Sequence, residues 1–342
     1  MSLYMSSTYH EDIRLVASEE LPWGSLRNKS VLISGASGLI CSFLVDVLMY
    51  RNETFKDNIT VYAISRNTEA AYERFVKHWE HPNFRFIKHD VTRPLSEPTL
   101  GVDYIVHGAS NANPYVYAED PVGTMKANVF GIYHLLEYAL ASNATRTLYI
   151  SSGELYGQGA DVDRFDETYS GYVDCTTSRS CYPTGKRAAE TFCASYCRQY
   201  DMDVVIARPC HIYGATNIKR DNRAVSQFIK NVIDGKDVVL KSDGMQLRSY
   251  CYVVDCVSGL LYILLKGARG HAYNIANEDS EVTVRELAEI IARMEGRQVV
   301  FGKPSLLERA GYSTINRSVL SPRKLMELGW KPRFSIYEGL ER

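Results

Sequence analysis

The segment Ser34-Gly35-Ala36-Ser37-Gly38-Leu39-Ile40-Cys41 limits the possible folds more than any other part of the chain. It follows an apolar β-type run, Val31–Ser34, and opens a helical pattern near Cys41–Tyr50. Strand, glycine-rich turn and helix in that order form the phosphate-binding turn of dinucleotide folds. Gly35 would make the tight turn, and Gly38 would let the backbone approach a pyrophosphate. Ser37, Leu39 and Ile40 would line that turn, where a helix start offers unpaired N–H groups and a positive dipole end. The third glycine of the usual pattern is Cys41, at a place where helix and strand pack closely. By itself the loop also fits a glycine-rich turn of another α/β protein.

The same alternation continues along the chain. Ile59–Ile64, Phe84–Ile87, Tyr104–His107, Arg146–Ser151 and Val204–Ala207 read as strands. Thr124–Ala141 and Tyr182–Tyr200 read as helices. Interleaved strands and helices predict an α/β chain with a Rossmann-type, doubly wound parallel sheet. Beyond Pro209 loops lengthen and helices shorten, as at Val225–Gly235 and Thr283–Glu295. Tyr252–Gly270 reads as a return to the first unit, ending in a strand at Ala272–Ile275. The expected division is a dinucleotide-binding domain of residues 1–208 and 250–277. A smaller mixed α/β substrate domain would take residues 209–249 and 278–342.

Charge narrows the partners. Lys and Arg number 39 against 40 Asp and Glu, for a net charge of −1, which argues against a nucleic-acid surface. A local basic pocket for phosphates stays possible. The eight cysteines include no C-x-x-C pair. They read as reduced, small apolar residues, with no metal expected. The start of the chain lacks a signal-type apolar core, and the longest apolar run, Leu260–Leu265, is far too short to span a bilayer. A cytoplasmic protein without membrane association is expected.

The second strand ends Ile64-Ser65-Arg66-Asn67, without the carboxylate that usually holds the adenosine ribose of NAD. Ser65 followed by Arg66 suits a 2′-phosphate, so NAD(P) is expected with NADP slightly favoured. A solvated surface arginine is the alternative. Asp90 and Val91 would sit near the adenine, and Ala109 and Ser110 below the cofactor.

Tyr182-x-x-x-Lys186 places a phenol and an ammonium on one helix face. A nearby ammonium would lower the phenol pKa towards a catalytic range. A second such pair, Tyr262 and Lys266, lies in the apolar run and reads as core tyrosine plus surface lysine. Context favours the first pair. Ser151-Ser152-Gly153-Glu154-Leu155-Tyr156-Gly157 closes the fifth strand, at the sheet edge where ligands bind in such folds. Ser152 would share a substrate hydroxyl with Tyr182, and Glu154 would act as base or hydrogen-bond partner. Their bland alternatives are a turn serine and a solvated carboxylate.

The glycine loop, Ser151–Gly157, Tyr182–Lys186 and Ala207-Arg208-Pro209-Cys210-His211-Ile212-Tyr213-Gly214 together resemble the extended short-chain dehydrogenase/reductases, in the NAD-dependent epimerase/dehydratase family. The resemblance runs in order from about residue 29 to 337. Locally it is strongest to UDP-glucuronate decarboxylases, at Arg179–Thr191, Asn222–Ile229 and Asp243–Tyr250. It implies a nucleoside diphosphate sugar as substrate and a homodimer. It also implies that Arg248 contacts the pyrophosphate, a role suited to the guanidinium fork. Arg223 and His211 would take substrate-side positions, with residues 223–226 and 238–241 framing the nucleotide. The chain departs from that pattern at several places. Ser152 stands for the usual threonine, Gly153 for a Ser or Asp, His211 for an asparagine and Lys241 for a tyrosine. The usual arginine-rich stretch is replaced by residues 311–317.

The implied chemistry is transient oxidation at sugar C4, with Tyr182 as proton acceptor, Ser152 steadying the oxygen and Lys186 holding the cofactor ribose. The 4-keto sugar can then lose carbon dioxide, eliminate water or be reduced to an epimer, and hydride returns each time. Glu154 leans against 4-epimerisation and Gly153 against 4,6-dehydration, which leaves decarboxylase-like chemistry ahead. A keto-sugar reductase consuming NADPH is one rival. A non-enzymatic dinucleotide sensor is another, disfavoured because Ser152, Tyr182 and Lys186 are all present.

Overall fold

β1 (Ser30–Ser34) is buried along its whole length, as expected of a central parallel strand covered on both faces. A computed structural model of the chain describes residues 3–95, 101–159, 162–217, 221–313 and 315–342. Before β1 comes helix α1 (Ser7–Ala17), and after it α2 (Leu39–Phe55), β2 (Thr60–Ser65), α3 (Thr68–Phe75), β3 (Phe84–Lys88) and β4 (Tyr104–His107). α4 (Pro114–Glu119) and α5 (Pro121–Ala141) lead to β5 (Arg146–Ile150), then α6 (Cys181–Gln199) and β6 (Val204–Pro209). The later part holds β7 (His211–Tyr213), α7 (Ala224–Ile233), β8 (Val238–Leu240), β9 (Leu247–Tyr252), α8 (Val253–Lys266) and β10 (Ala272–Ile275). It ends with β11 (Glu281–Thr283), α9 (Val284–Met294), β12 (Val299–Phe301), α10 (Leu306–Gly311), β13 (Arg317–Ser318), α11 (Arg323–Met326) and α12 (Ile336–Glu341).

Seven strands form one sheet in the order β10-β6-β5-β4-β1-β2-β3, and every neighbouring pair is parallel. The strand order reverses between β1 and β4. In open α/β sheets that is the switch point where a crevice opens at the strands' carboxyl ends. This is the doubly wound architecture the alternation predicts. Each predicted strand lies within a residue or two of its observed bounds.

Smaller sheets build the remainder. β9 pairs with β7 and β13 in parallel and with β11 antiparallel, while β12 pairs with β8. α9 starts on a capping box, Thr283 with Glu286, which satisfies its first N–H groups. The segment before β1, for which the sequence pattern offers no element, is helical and packed. α1 buries Tyr9, Ile13, Val16 and Asp12. Asp12 accepts from Tyr252 (2.5 Å) and Arg342 (2.7 Å), tying the first helix to β9 and the end of the chain. Among the described residues no helix is long and apolar enough to cross a membrane.

Candidate active site

The glycine turn is built as a phosphate cradle. Gly35 has φ +68°, and a Cβ there would stand 2.7 Å from the backbone nitrogen of Ala109. Only glycine fits both the left-handed conformation and that approach. Gly38 is the N-cap of α2 and carries no side-chain cap, so the first N–H groups of Leu39 and Ile40 are left for a ligand. Cys41 is buried, and its Sγ fills the space where a Cβ of Gly108 would lie. The missing third glycine is thus compensated by a glycine on the facing strand end. Ser37 Oγ bonds Ser65 Oγ at 2.8 Å, which closes the turn against β2. Arg66 is exposed. Burial pushes the Asp90 carboxyl up, but hydrogen bonds from Thr92 and the charge of Arg66 outweigh it and hold the pKa below the usual range. Val91 is a core residue packed with Leu32, Ile64 and Ile105. An uncapped helix start and a cradle closed to any side chain fit a dinucleotide pyrophosphate.

The candidate reacting groups converge where β4, β5 and β6 end. A cavity of about 130 Å³ is lined by Ile40, Ser110, Ser152, Glu154, Tyr182, Lys186, His211 and Arg223. Ser152 sits just past β5 as an N-cap, its hydroxyl accepting from Glu154 N at 3.2 Å. It lines the same cavity as Tyr182, and its hydroxyl lowers the phenol's pKa. Tyr182 and Lys186 lie in the first two turns of α6, 5% and 2% exposed. Lys186 Nζ donates to Ile150 O (2.8 Å) and lies 5.6 Å from the Tyr182 ring centre. Glu190, one turn on, is held by Arg208 at 2.6 Å, so it is not an ion-pair partner for the lysine. The Tyr262–Lys266 pair stands on α8, away from this cavity.

One electrostatic expectation is corrected. The phenol of Tyr182 is not lowered in the free protein. Burial pushes it up to about 12, against the hydrogen bond from Ser152 and the charges of Arg223 and Arg179. Lys186 cannot offset this, because burial also brings its own pKa down to about 7. Burial thus moves both groups towards their neutral forms. An added positive charge at the cavity would shift the phenol the other way.

The substrate-side residues are placed unequally. Arg223 lines the cavity but is held by Asp221 at 2.6 Å. His211 Nδ1 is buried without a hydrogen-bond partner among the described residues. Removal from water, with the charges of Arg248 and Arg223, brings its pKa down to about 3, so its ring is neutral. Arg248 does not line the cavity. Only 6% exposed, it donates to Ile315 O (2.5 Å), Asn316 O (3.2 Å) and Leu247 O. Its hydrogen-bond partners are these backbone carbonyls, so its fork is held beside residues 315 and 316. Lys241 Nζ pairs with Glu308 at 2.5 Å.

Two functional neighbours were not singled out in the sequence. Arg179 pairs with Glu154 at 2.8 Å and places its guanidinium 4.9 Å from the Tyr117 ring centre. Tyr117 stacks on Tyr182. Arg179 precedes Tyr182 by less than one helical turn, the one local signal for it. Nothing near Tyr117 in sequence points to the site. Among the described residues no group of three His, Cys, Asp or Glu could hold a metal.

Comparison with known proteins places this geometry. The model of the NAD dependent epimerase/dehydratase family matches residues 31–276. UDP-glucuronic acid decarboxylase 3 of Arabidopsis thaliana is 36% identical over 314 residues, covering 92% of this chain and 87% of the plant protein. UDP-glucuronic acid decarboxylase 1 of Xenopus tropicalis is 33% identical, covering 92% and 71%. Among solved structures, the dTDP-glucose 4,6-dehydratase DesIV of Streptomyces venezuelae, with NAD and TYD bound, superposes with a TM-score of 0.80. It is 26% identical over 91% of this chain and 94% of that one.

Proposed function

The chain belongs to the NAD-dependent epimerase/dehydratase family, and on that footing we propose that it decarboxylates a UDP-hexuronate through a 4-keto sugar. The observation that carries the reading is the convergence of Ser152, Glu154, Tyr182 and Lys186 on one cavity at the sheet's ligand-binding edge.

The cofactor is a nicotinamide dinucleotide, which when bound supplies hydride acceptance at C4 and its return. Gly35, Gly38 and the start of α2 cradle its pyrophosphate. Lys186, fixed by Ile150 O, has further N–H donors for its ribose. NADP is the preferred form, because the 2′ position meets Ser65 and Arg66 rather than a carboxylate. Tyr182 takes the C4 hydroxyl proton, and Ser152 holds the same oxygen. With C4 a ketone, the C6 carboxylate is β to it. The C5–C6 bond breaks, its electron pair passes to the C4 oxygen held by Tyr182 and Ser152, and carbon dioxide leaves. C5 then takes a proton. Arg223, at the cavity, and Arg248, buried behind it, are the residues assigned to the diphosphate handle. Arg248 is a buried cation whose partners are carbonyls, and a ligand anion would compensate its charge.

The 4,6-dehydratase reading is weaker. It calls for an acid beside Glu154, and a Cβ on Gly153 would stand 2.9 Å from Leu320. We also propose a homodimer through α5, whose Val122, Phe130, Tyr133 and Leu140 form one exposed apolar stripe. The eight free cysteines suit a reducing, cytoplasmic compartment.

Purified protein given UDP-glucuronate is expected to release one carbon dioxide per UDP-pentose formed, without net NADPH consumption. A 4-keto-6-deoxy product from UDP-glucose would favour dehydration. Stoichiometric NADPH consumption would favour a reductase.

A further inference from the structure

We infer that Arg179 is the specificity-determining residue of this site and receives the C6 carboxylate of the sugar beside its ion pair with Glu154. The inference rests on the hexuronate reading above.

Two cavities meet at Glu154. The inner one, about 130 Å³, holds the reacting groups, and the outer one, about 330 Å³, is lined by Arg179, Asp174, Tyr172 and Tyr312. Ligand cavities commonly run from about 300 to 1,000 Å³, so the inner space alone is small for a sugar set against a cofactor. The reacting end of the substrate therefore extends past Glu154 towards the outer cavity.

Arg179 is fixed at that boundary. Its Nε donates to Gly311 O at 3.0 Å, and its guanidinium lies 4.9 Å from the Tyr117 ring centre. Tyr117 in turn stacks on Tyr182 at 4.7 Å. The guanidinium thus stands no farther from the Tyr182 ring than those two spacings laid end to end. A sugar whose C4 oxygen meets Tyr182 bears its C6 group on the neighbouring carbon, and turning that group past Glu154 brings it to the Arg179 side of the site.

Charge decides what C6 group is accepted. Glu154 alone would repel a second carboxylate. Arg179 offsets it and keeps capacity to spare. Of its five N–H donors, the described bonds use Nε on Gly311 and Nη2 on Glu154 (2.8 Å). The rest of the fork can take a carboxylate in the charge-assisted geometry that suits it. Of the other arginines near the site, Arg223 is held by Asp221 and Arg248 by the carbonyls of residues 315 and 316, and both are assigned above to the diphosphate end of the substrate rather than to C6.

The test uses the full chain and calorimetric titration with UDP, UDP-glucose and UDP-glucuronate. Arg179→Met should weaken UDP-glucuronate by about tenfold or more while UDP and UDP-glucose stay within about twofold. Arg179→Lys, which keeps charge but not the fork, should recover part of the loss. Glu154→Gln removes the competing charge and should tighten UDP-glucuronate alone, which keeps the test available if Arg179→Met fails to fold. Equal weakening of both sugars, no weakening, or no tightening in Glu154→Gln overturns this inference and leaves the proposed function standing. Wild-type protein that binds none of the three overturns the proposed function, and the inference with it.

Discussion

Tyr117 lies flat against Tyr182, with ring centres 4.7 Å apart and planes 17° from parallel. Tyr117 comes from α4 and Tyr182 from the first turn of α6, so the stack fixes the phenol from a separate element. Ser152 lines the same cavity as the phenol. Tyr182→Phe keeps the stack and removes the proton-transfer oxygen. Turnover should fall by about 10² to 10⁴, with cofactor affinity nearly unchanged. Tyr262→Phe, on α8, is the control. Near-normal turnover of Tyr182→Phe in steady-state assays would refute the assignment. Tyr117→Leu should cost about 0.5–1.5 kcal/mol of stacking and lower turnover by a smaller factor.

Lys186 gives the free protein a pH signature. Burial brings its pKa down to about 7, below the 10.5 of an exposed lysine. Between those values the unfolded chain binds more protons than the folded one, so stability gains from this group as pH rises above about 7. Below that pH the folded protein carries a buried ammonium without a carboxylate partner. Lys186→Met removes the charge. Its melting temperature should exceed that of the wild type most at pH 6, and the gap should shrink through pH 8 and 9. Thermal scans of both proteins without cofactor measure this, and a pH-independent gap would contradict it.

The parts legible in sequence were those with local signals. Buried parallel strands read as short apolar runs closed by polar turns, which is why β1 to β6 and β10 lie where the pattern put them. Tyr182 and Lys186 share the helical spacing of one element with Tyr262 and Lys266, and the segment Ser151–Gly157 closing the fifth strand is what separates the two pairs. Contacts across the chain had no such signal. Glu154 and Arg179 are 25 residues apart, and β8 and β12 pair across a longer interval still. α1 escaped because Asp12 sits on its buried face, where a polar residue interrupts the amphipathic pattern. The fork of Arg248 turns towards the carbonyls of residues 315 and 316, a choice set by tertiary packing. Burial also reversed the expected shift of Tyr182, and burial is a property no i,i+4 rule reports.

Arg66 is the residue on which the proposed NADP preference rests. It is exposed, and its charge is felt by the Asp90 carboxylate. A 2′-phosphate offers that guanidinium a stronger, charge-assisted partner. Arg66→Ala should therefore weaken NADP by about tenfold and leave NAD almost unchanged, the scale of about 1.4 kcal/mol. Calorimetry with each cofactor reads this directly. Tighter NAD binding in the wild type, indifferent to Arg66→Ala, would overturn the NADP preference.

Cys41 and Gly108 form a compensated pair, and their energetics can be measured. Cys41 occupies the helix position where the dinucleotide turn usually has glycine, and its Sγ fills the space above Gly108. A methyl group at 108 would meet that sulfur, with Ile150 Cδ1 at 3.2 Å and Ser34 O at 3.4 Å closing the other sides. Gly108→Ala should therefore destabilise the protein by about 1–3 kcal/mol, the usual cost of overpacking. Cys41→Ala removes the sulfur and leaves the helix propensity intact, so alone it should cost about 1 kcal/mol or less from the small void. Combined, the two changes exchange a sulfur for a methyl group across one contact. The double variant should be more stable than Gly108→Ala, with a coupling of about 1–2 kcal/mol in urea denaturation. Dinucleotide affinity should follow, because the same contact sets how close α2 stands to the end of β4. Strict additivity of the two substitutions would show that Cys41 does not replace the missing glycine through Gly108.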